Sequence, residues 1–197
     1  RDGIESLYKY SFIVIVPLVF VMFSFADTII NVLFGKSYIA ADNAMKILSI
    51  GMIFATINGV CSNFFAGIGK PQIARKMIYS GAIFNLIANL ILIPILGIIG
   101  AAITTTLSYG IMMLIGLLNI KRFIAVTFPI KIWAKTLIIG ALFVLIMRIL
   151  KNVITLNVWI ETAIVLTIAG ISYIALLFLL KVINIDELEG LYKRIVN

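Results

Sequence analysis

Residues 85–108 read NLIANLILIPILGIIGAAITTTLS, and this stretch decides the fold. Two apolar runs, 77–93 and 97–119, meet here with only Pro94-Ile-Leu-Gly97 between them. Each run has about the 17–25 residues that an α-helix needs to cross a bilayer. Proline ends a helix and glycine tolerates a tight turn, so the stretch predicts an antiparallel transmembrane hairpin. Gly100-Ala101-Ala102 then presents small side chains, which allow helices to pack closely.

The composition extends this prediction to the whole chain. Hydrophobic residues make up 63% of the 197 residues and charged residues 12%. A soluble fold of this length cannot bury so much apolar surface, whereas a bilayer solvates it. Backbone groups in lipid must be hydrogen-bonded internally, so the apolar runs predict an all-α integral membrane bundle of six spans. The predicted spans are 11–33, 44–66, 77–93, 97–119, 133–150 and 159–182.

The first apolar run contains a helix-capping pattern before its end. Ser24 and Asp27 have the spacing of an N-cap and its acidic partner. We therefore expect the spanning helix to stop near Phe23 and a short interfacial helix to follow over 27–34. Gly35 would end that helix, since glycine is favoured at helix C-termini.

The two ends of the chain differ in character from the bundle. We expect 1–183 to form the transmembrane bundle and 184–197 to form a cytoplasmic tail. Asn184 and Glu187 have N-cap spacing, and the apolar residues that follow predict an amphipathic helix on the membrane surface. The chain begins at Arg1 with no leader pattern, so we expect it to be the C-terminal part of a longer protein.

The basic residues predict the orientation in the membrane. With six spans, both ends share one side, which holds 12 of the 16 Lys and Arg residues. The other four are Lys36, Lys46, Arg148 and Lys151. Lys and Arg accumulate on the cytoplasmic side, so both ends are expected there, in a multi-pass protein of the cytoplasmic membrane. The net charge of +8 is thus explained by topology rather than by nucleic acid binding.

The sequence carries no pattern for catalysis or for a metal site. It has no histidine and one cysteine, Cys61, which removes the commonest general base and metal ligand and precludes an internal disulfide. The gaps on the outer side, at 34–43, 94–97 and 151–158, are too short for a catalytic domain. We therefore predict a protein that is not an enzyme and has no cofactor.

Asparagines within the spans are the candidate binding residues. Asn58 and Asn63 lie in the second span, and Asn85 and Asn89 lie on one face of the third. An unpaired amide in hydrocarbon costs roughly 2–7 kcal/mol, so these groups should face other helices or a water-filled cavity. Two interpretations stay open, interhelical hydrogen bonding and the lining of a hydrophilic transport cavity.

Ionisable residues near the outer ends of the spans are candidate charged contacts. They include Asp27 and Arg148. Each also has a structural interpretation. Asp27 suits the positive end of the short helix, and Arg148 can extend its stem to the interface.

Three stretches together resemble one family of transporters. They are 29–35 (IINVLFG), 58–71 (NGVCSNFFAGIGKP) and the stretch 85–108. They resemble the Wzx-type polysaccharide and O-antigen flippases. That family belongs to the multidrug/oligosaccharidyl-lipid/polysaccharide exporter superfamily, which also holds the multidrug and toxic compound extruders.

The resemblance implies a function as well as an architecture. Such flippases have 12–14 spans in two lobes, so this chain would be the C-terminal lobe with two extra helices. The missing N-terminal lobe and membrane lipid would be its partners. The whole protein would flip a polyprenyl-pyrophosphate-linked oligosaccharide by alternating access, for polysaccharide biosynthesis. Coupling to Na⁺ or H⁺ is implied for the family, although the sequence shows no clear ion site.

Three alternatives remain at this point. A multidrug or toxic compound antiporter would want an acidic cavity residue, for which Asp27 is the one candidate. A membrane glycosyltransferase or O-antigen ligase would need a larger outer loop. A structural membrane subunit is the third.

Overall fold

The computed structural model describes residues 2–125, 127–153 and 158–183, where all regular structure is helical. The helices are α1 (Asp2–Ser24), α2 (Ala26–Phe34), α3 (Asp42–Gly67), α4 (Pro71–Leu96), α5 (Ile98–Ile120), α6 (Ile130–Val153) and α7 (Val158–Leu179). A 3₁₀ helix, Lys36–Ala41, lies between α2 and α3. Five segments are long and apolar enough to span a membrane, and α7 adds a further apolar helix, Ile164–Leu179. The predicted all-α membrane fold is confirmed.

Several helices extend past the apolar runs that predicted them. The third run, 77–93, lies inside α4, which begins at Pro71. Proline is favoured at the first helical position because its missing N–H would have no partner there. The fifth run, 133–150, likewise lies inside α6. Hydropathy locates the part of a helix that suits hydrocarbon, whereas the helix itself continues into the interface.

The predicted break in the first apolar run is present, but its capping differs from the expectation. α1 ends at Ser24 and α2 ends before Gly35, whose φ is +87°. The predicted N-cap at Ser24 is wrong, since the cap residue is Phe25 and no side chain bonds there. Backbone bonds from Phe25 N to Val21 O (3.0 Å) and from Ile29 N to Phe25 O (2.8 Å) carry the chain through the break. These bonds leave no role for a serine cap.

Helices α4 and α5 form the predicted hairpin, but Pro94 does not end α4. The helix continues to Leu96, and Gly97 alone, with φ of +57°, links it to α5. Proline has no N–H to bond the carbonyl four residues back, so Pro94 costs α4 one backbone hydrogen bond, but the helix continues past it. Packing is closest at Gly100, where a Cβ would lie 2.3 Å from the Leu92 carbonyl oxygen. Gly97 therefore serves the turn and Gly100 serves the helix contact.

The described residues form two compact units, one up to Pro129 and one from Ile130. In the first unit α5 lies between α3 and α4, and α1 packs on α3. Glycines allow these approaches: a Cβ at Gly51 would lie 2.9 Å from Thr106 Oγ1, and one at Gly81 only 2.4 Å from Met112 Cγ.

The second unit is a pair of packed helices, α6 and α7. The rings of Phe143 and Tyr173 meet edge to face with centroids 5.5 Å apart. Ile139 on α6 and Ala169 on α7 are fully buried. The predicted amphipathic tail, 184–197, lies outside the described residues.

Candidate functional site

A network of hydrogen bonds joins α4 to α5 inside the hairpin. Asn89 Nδ2 donates to Asn85 Oδ1 at 2.9 Å, and Asn85 Nδ2 donates to Thr105 Oγ1 at 3.4 Å. Thr104 Oγ1 donates to Asn89 Oδ1 and is also 3.0 Å from the Ala101 carbonyl oxygen. The two asparagines are half-buried, whereas Thr104 is fully buried. The polar side chains of the hairpin are thus hydrogen-bonded to one another.

These contacts give Asn85 and Asn89 a structural role between helices. Each amide accepts or donates to a partner across or along the hairpin, so the cost of placing it in an apolar span is offset. The partial exposure of both side chains leaves one side of the network open. Lining of a cavity by these asparagines therefore stays a prediction.

Asn58 on α3 is a different kind of group. Its side chain is 9% exposed, and its Oδ1 atom accepts no hydrogen bond from any described residue. It lies three residues before Cys61, on the same face of α3. Cys61 Sγ is hydrogen-bonded to the hydroxyl of Tyr8 on α1 at 3.0 Å. The amide oxygen is therefore an unsatisfied acceptor within the helix packing, which structures rarely retain without a reason.

The remaining candidates lie on exposed surface. Asn63 is exposed near the end of α3, and Asp27 is exposed in the first turn of α2, where Thr28 Oγ1 donates to it at 3.4 Å. Arg148 is exposed near the end of α6. Within the first unit the structure brings Asn85 and Asn89 together, whereas Asn58, Asn63 and Asp27 lie apart from them.

Basic and aromatic residues meet at one end of the first unit. Lys70, in the turn between α3 and α4, lies over the Phe123 ring with Nζ 4.2 Å from its centroid. Lys121 lies over Phe128 in the same way at 5.5 Å. The Tyr8 and Phe128 rings are 5.8 Å apart, which brings the beginning of α1 to this end. Cation–π contacts of this kind hold the lysine head groups at an apolar surface.

Among the residues that the structure describes, no three His, Cys, Asp or Glu side chains cluster closely enough to hold an ion.

The threonines of α5 are the polar groups whose partners the sequence does not identify. They could bond their own helix, as Ser108 does to the Thr104 carbonyl oxygen at 2.7 Å. Thr104 bonds Ala101 of its own helix but also reaches α4, and Thr106 Oγ1 donates to the Ile47 carbonyl oxygen of α3 at 3.1 Å. One signal was available, since Asn89 lies eight residues before Gly97 and Thr104 seven after it. In an antiparallel hairpin, residues at similar distances from the turn face each other.

Comparisons with known proteins connect this geometry to transporters. No family model matches the chain. The chain is 37% identical over 198 residues to the uncharacterized membrane protein MJ1068 of Methanocaldococcus jannaschii, covering 98% of this chain and 38% of the relative. It is 26% identical over 132 residues to the probable low-salt glycan biosynthesis flippase Agl15 of Haloferax volcanii, covering 65% of this chain and 28% of the relative.

A solved structure shows the same fold. The lipid II flippase MurJ, in an inward closed conformation, matches 89% of this chain and 37% of its own chain with a TM-score of 0.69 and 19% identity. This chain thus spans less than two fifths of the proteins that it matches. The named relatives are flippases, which are transporters and not enzymes. The chain therefore has the fold of one part of MurJ, and its relationship to Agl15 supports a flippase-like family of membrane proteins.

Proposed function

We propose that the chain is part of a transporter that flips a polyprenyl-pyrophosphate-linked oligosaccharide across the cytoplasmic membrane by alternating access. The observation that carries the proposal is the relationship to a probable glycan biosynthesis flippase over 132 residues. The fold shared with a lipid II flippase agrees with it. Both named proteins handle a glycan or a lipid, and a lipid-linked oligosaccharide combines the two chemistries.

In this proposal the basic end of the first unit is cytoplasmic. Lys70 and Lys121 mark that end, and the Glu5 carboxylate accepts bonds from Thr127 N and Oγ1 there, both at 2.9 Å. These contacts bring together, at this end, the beginning of α1, the turn between α3 and α4, and the segment after α5. Lys and Arg accumulate on the cytoplasmic side of membrane proteins.

Asn58 is the residue that we propose takes part in transport. An unsatisfied buried acceptor costs about 1–3 kcal/mol, so replacing Asn58 with an apolar residue should not destabilise the fold. Alternating access repacks helices against each other, which would bring this amide to a cavity wall in another state of the transporter. Asn amides suit sugar hydroxyls because they both donate and accept hydrogen bonds.

The test compares Asn58→Leu with Asn85→Leu in the full-length protein. Flipping is measured in proteoliposomes as the fraction of lipid-linked oligosaccharide that a lectin can reach, and folding is measured as thermal unfolding in detergent. We expect Asn58→Leu to keep or raise the unfolding temperature and to lower the flipping rate several-fold. Asn85→Leu breaks the hairpin network, so its unfolding temperature should fall and its flipping only in proportion.

Two results would contradict this proposal. Full flipping by Asn58→Leu would remove Asn58 from the transport path. A wild-type protein that moves a cationic dye but no lipid-linked oligosaccharide would instead favour a multidrug antiporter.

A further inference from the structure

The first unit contains a cavity of about 560 Å³ between α2, the 3₁₀ helix, α3 and α5. Its inner wall is made of small side chains, among them Ala44 and Ala102, which are almost fully buried. Its rim includes Phe34 and Tyr38, which are 65% and 60% exposed. The space therefore exists because small residues from two helices face each other under an aromatic rim.

The chemistry of the lining favours an apolar ligand. No charged side chain is among the described residues that line the cavity. Ser49 Oγ donates to the Lys46 carbonyl oxygen at 2.7 Å, and Thr105 Oγ1 accepts from Asn85. Ser49 and Thr105 each already make one such bond within the protein, and the Tyr38 hydroxyl belongs to the exposed rim. A sugar or phosphate head group would therefore find few partners inside for the hydrogen bonds that it makes to water.

The size and the lining suit a hydrocarbon chain. A dry apolar cavity of about 150 Å³ holds one benzene molecule, so this cavity has room for roughly 20 carbon atoms. Met22, Met45 and Met52 line it. Methionine side chains are flexible and polarizable, and they adapt to ligands of irregular shape.

The position of the cavity indicates which kind of molecule occupies it. It lies where α1 ends and α3 and α5 begin, at the end of the first unit opposite Lys70 and Lys121. A hydrocarbon chain in this space would make dispersion contacts with the atoms that line it. Bilayer chains are the most abundant apolar molecules at a membrane protein's surface, so mass action favours their entry.

We propose that this cavity binds one hydrocarbon chain of a bilayer lipid. The chain lies against α3 and α5 beneath the rim, with its head group outside the protein. The site adjoins the hydrogen-bonded amides at Thr105, and we propose that it holds a resident lipid rather than the transported one. This proposal rests on the membrane location of the bundle and does not depend on the proposed flippase activity.

The test uses the full-length protein in phosphatidylcholine vesicles whose acyl chain carries a diazirine at mid-chain. After illumination, carbene adducts are mapped by peptide mass spectrometry. We expect adducts on 45–52 of α3 to exceed those on 83–90 of α4, a segment rich in exposed apolar side chains. Ala101→Leu places a larger side chain, with three extra carbon atoms, in the cavity and should lower the α3 adducts several-fold while leaving the α4 adducts unchanged.

The matched control is Ala82→Leu, which adds the same atoms at an exposed position of α4 outside the cavity lining. It should change neither set of adducts. If Ala101→Leu lowers the yield of folded protein, Met52→Trp fills the same space from α3. α3 adducts that resist both substitutions would overturn the proposal. Loss of these adducts when a trace of unlabelled polyprenyl phosphate is added would overturn it too, because the cavity would then prefer the carrier chain.

Discussion

Gly116 sets how closely α5 approaches both of its neighbours. A Cβ at this position would lie 2.7 Å from Met77 Cε on α4 and 2.8 Å from Cys61 Sγ on α3. It would also lie 2.9 Å from Cys61 Cβ, which is fixed by the backbone. Cys61 and Met77 are both fully buried, so neither can move into free space.

We therefore expect Gly116→Ala to lower the free energy of unfolding by about 1–3 kcal/mol through overpacking. The control is Gly110→Ala on the same helix, where a Cβ would make an ordinary contact 3.7 Å from Phe54 Cδ2. Thermal unfolding of the two purified variants measures the difference. Equal stability would mean that α3 and α4 can separate from α5 without cost.

At the same scale the sequence identifies the polar groups but not their pairing. Asn85 and Asn89 share a helix face by spacing alone, and this was predictable. Their bonds to Thr104 and Thr105 depend on the register of the hairpin. That register follows from a one-residue turn at Gly97, and the sequence predicts a longer turn beginning at Pro94.

At the scale of the elements, hydropathy predicts where the helices lie, because lipid demands long apolar helices. It does not predict their ends, as α4 shows, since the first turn at Pro71 lies outside the apolar run. The break after α1 was predictable from a local pattern, although the pattern gave the wrong cap. Backbone geometry at the break is set by the chain on both sides and not by one side chain.

Gly35 gives a prediction for the element that follows this break. Its φ of +87° and ψ of 171° belong to a region that is open essentially to glycine alone. Nothing lies within 4 Å of a Cβ there, so strain in the backbone is the whole cost of a substitution. We expect Gly35→Ala to cost about 1–3 kcal/mol and to loosen the 3₁₀ helix that follows.

Hydrogen exchange of the backbone amides over 36–41 measures this effect. Gly67→Ala is the control, because Gly67 also has nothing within 4 Å of a Cβ but has an ordinary helical backbone. Faster exchange in Gly35→Ala alone supports the argument. Unchanged exchange would mean that the link between α2 and the 3₁₀ helix can adopt another conformation.

At the scale of the whole molecule, the orientation is the feature that the charges predict most directly. Lys70 and Lys121, near the ends of α3 and α5, lie at one end of the first unit, where the beginning of α1 also lies. We expect reporter fusions at Asn197 and at Asn152 to report the cytoplasmic and the outer side, respectively. A cytoplasmic signal from both fusions would show that the helix after α6 does not cross the membrane.

The burial of Cys61 has a practical consequence for spectroscopy. It is the single cysteine of the chain, is fully buried, and is hydrogen-bonded to Tyr8. A thiol shielded in this way is inert towards water-soluble maleimides while the helices stay packed. Fluorophores can therefore be attached to cysteines introduced on the surface without removing the native one. The same thiol becomes a built-in reporter, because dye uptake at Cys61 would mark the moment at which α1 and α5 leave α3.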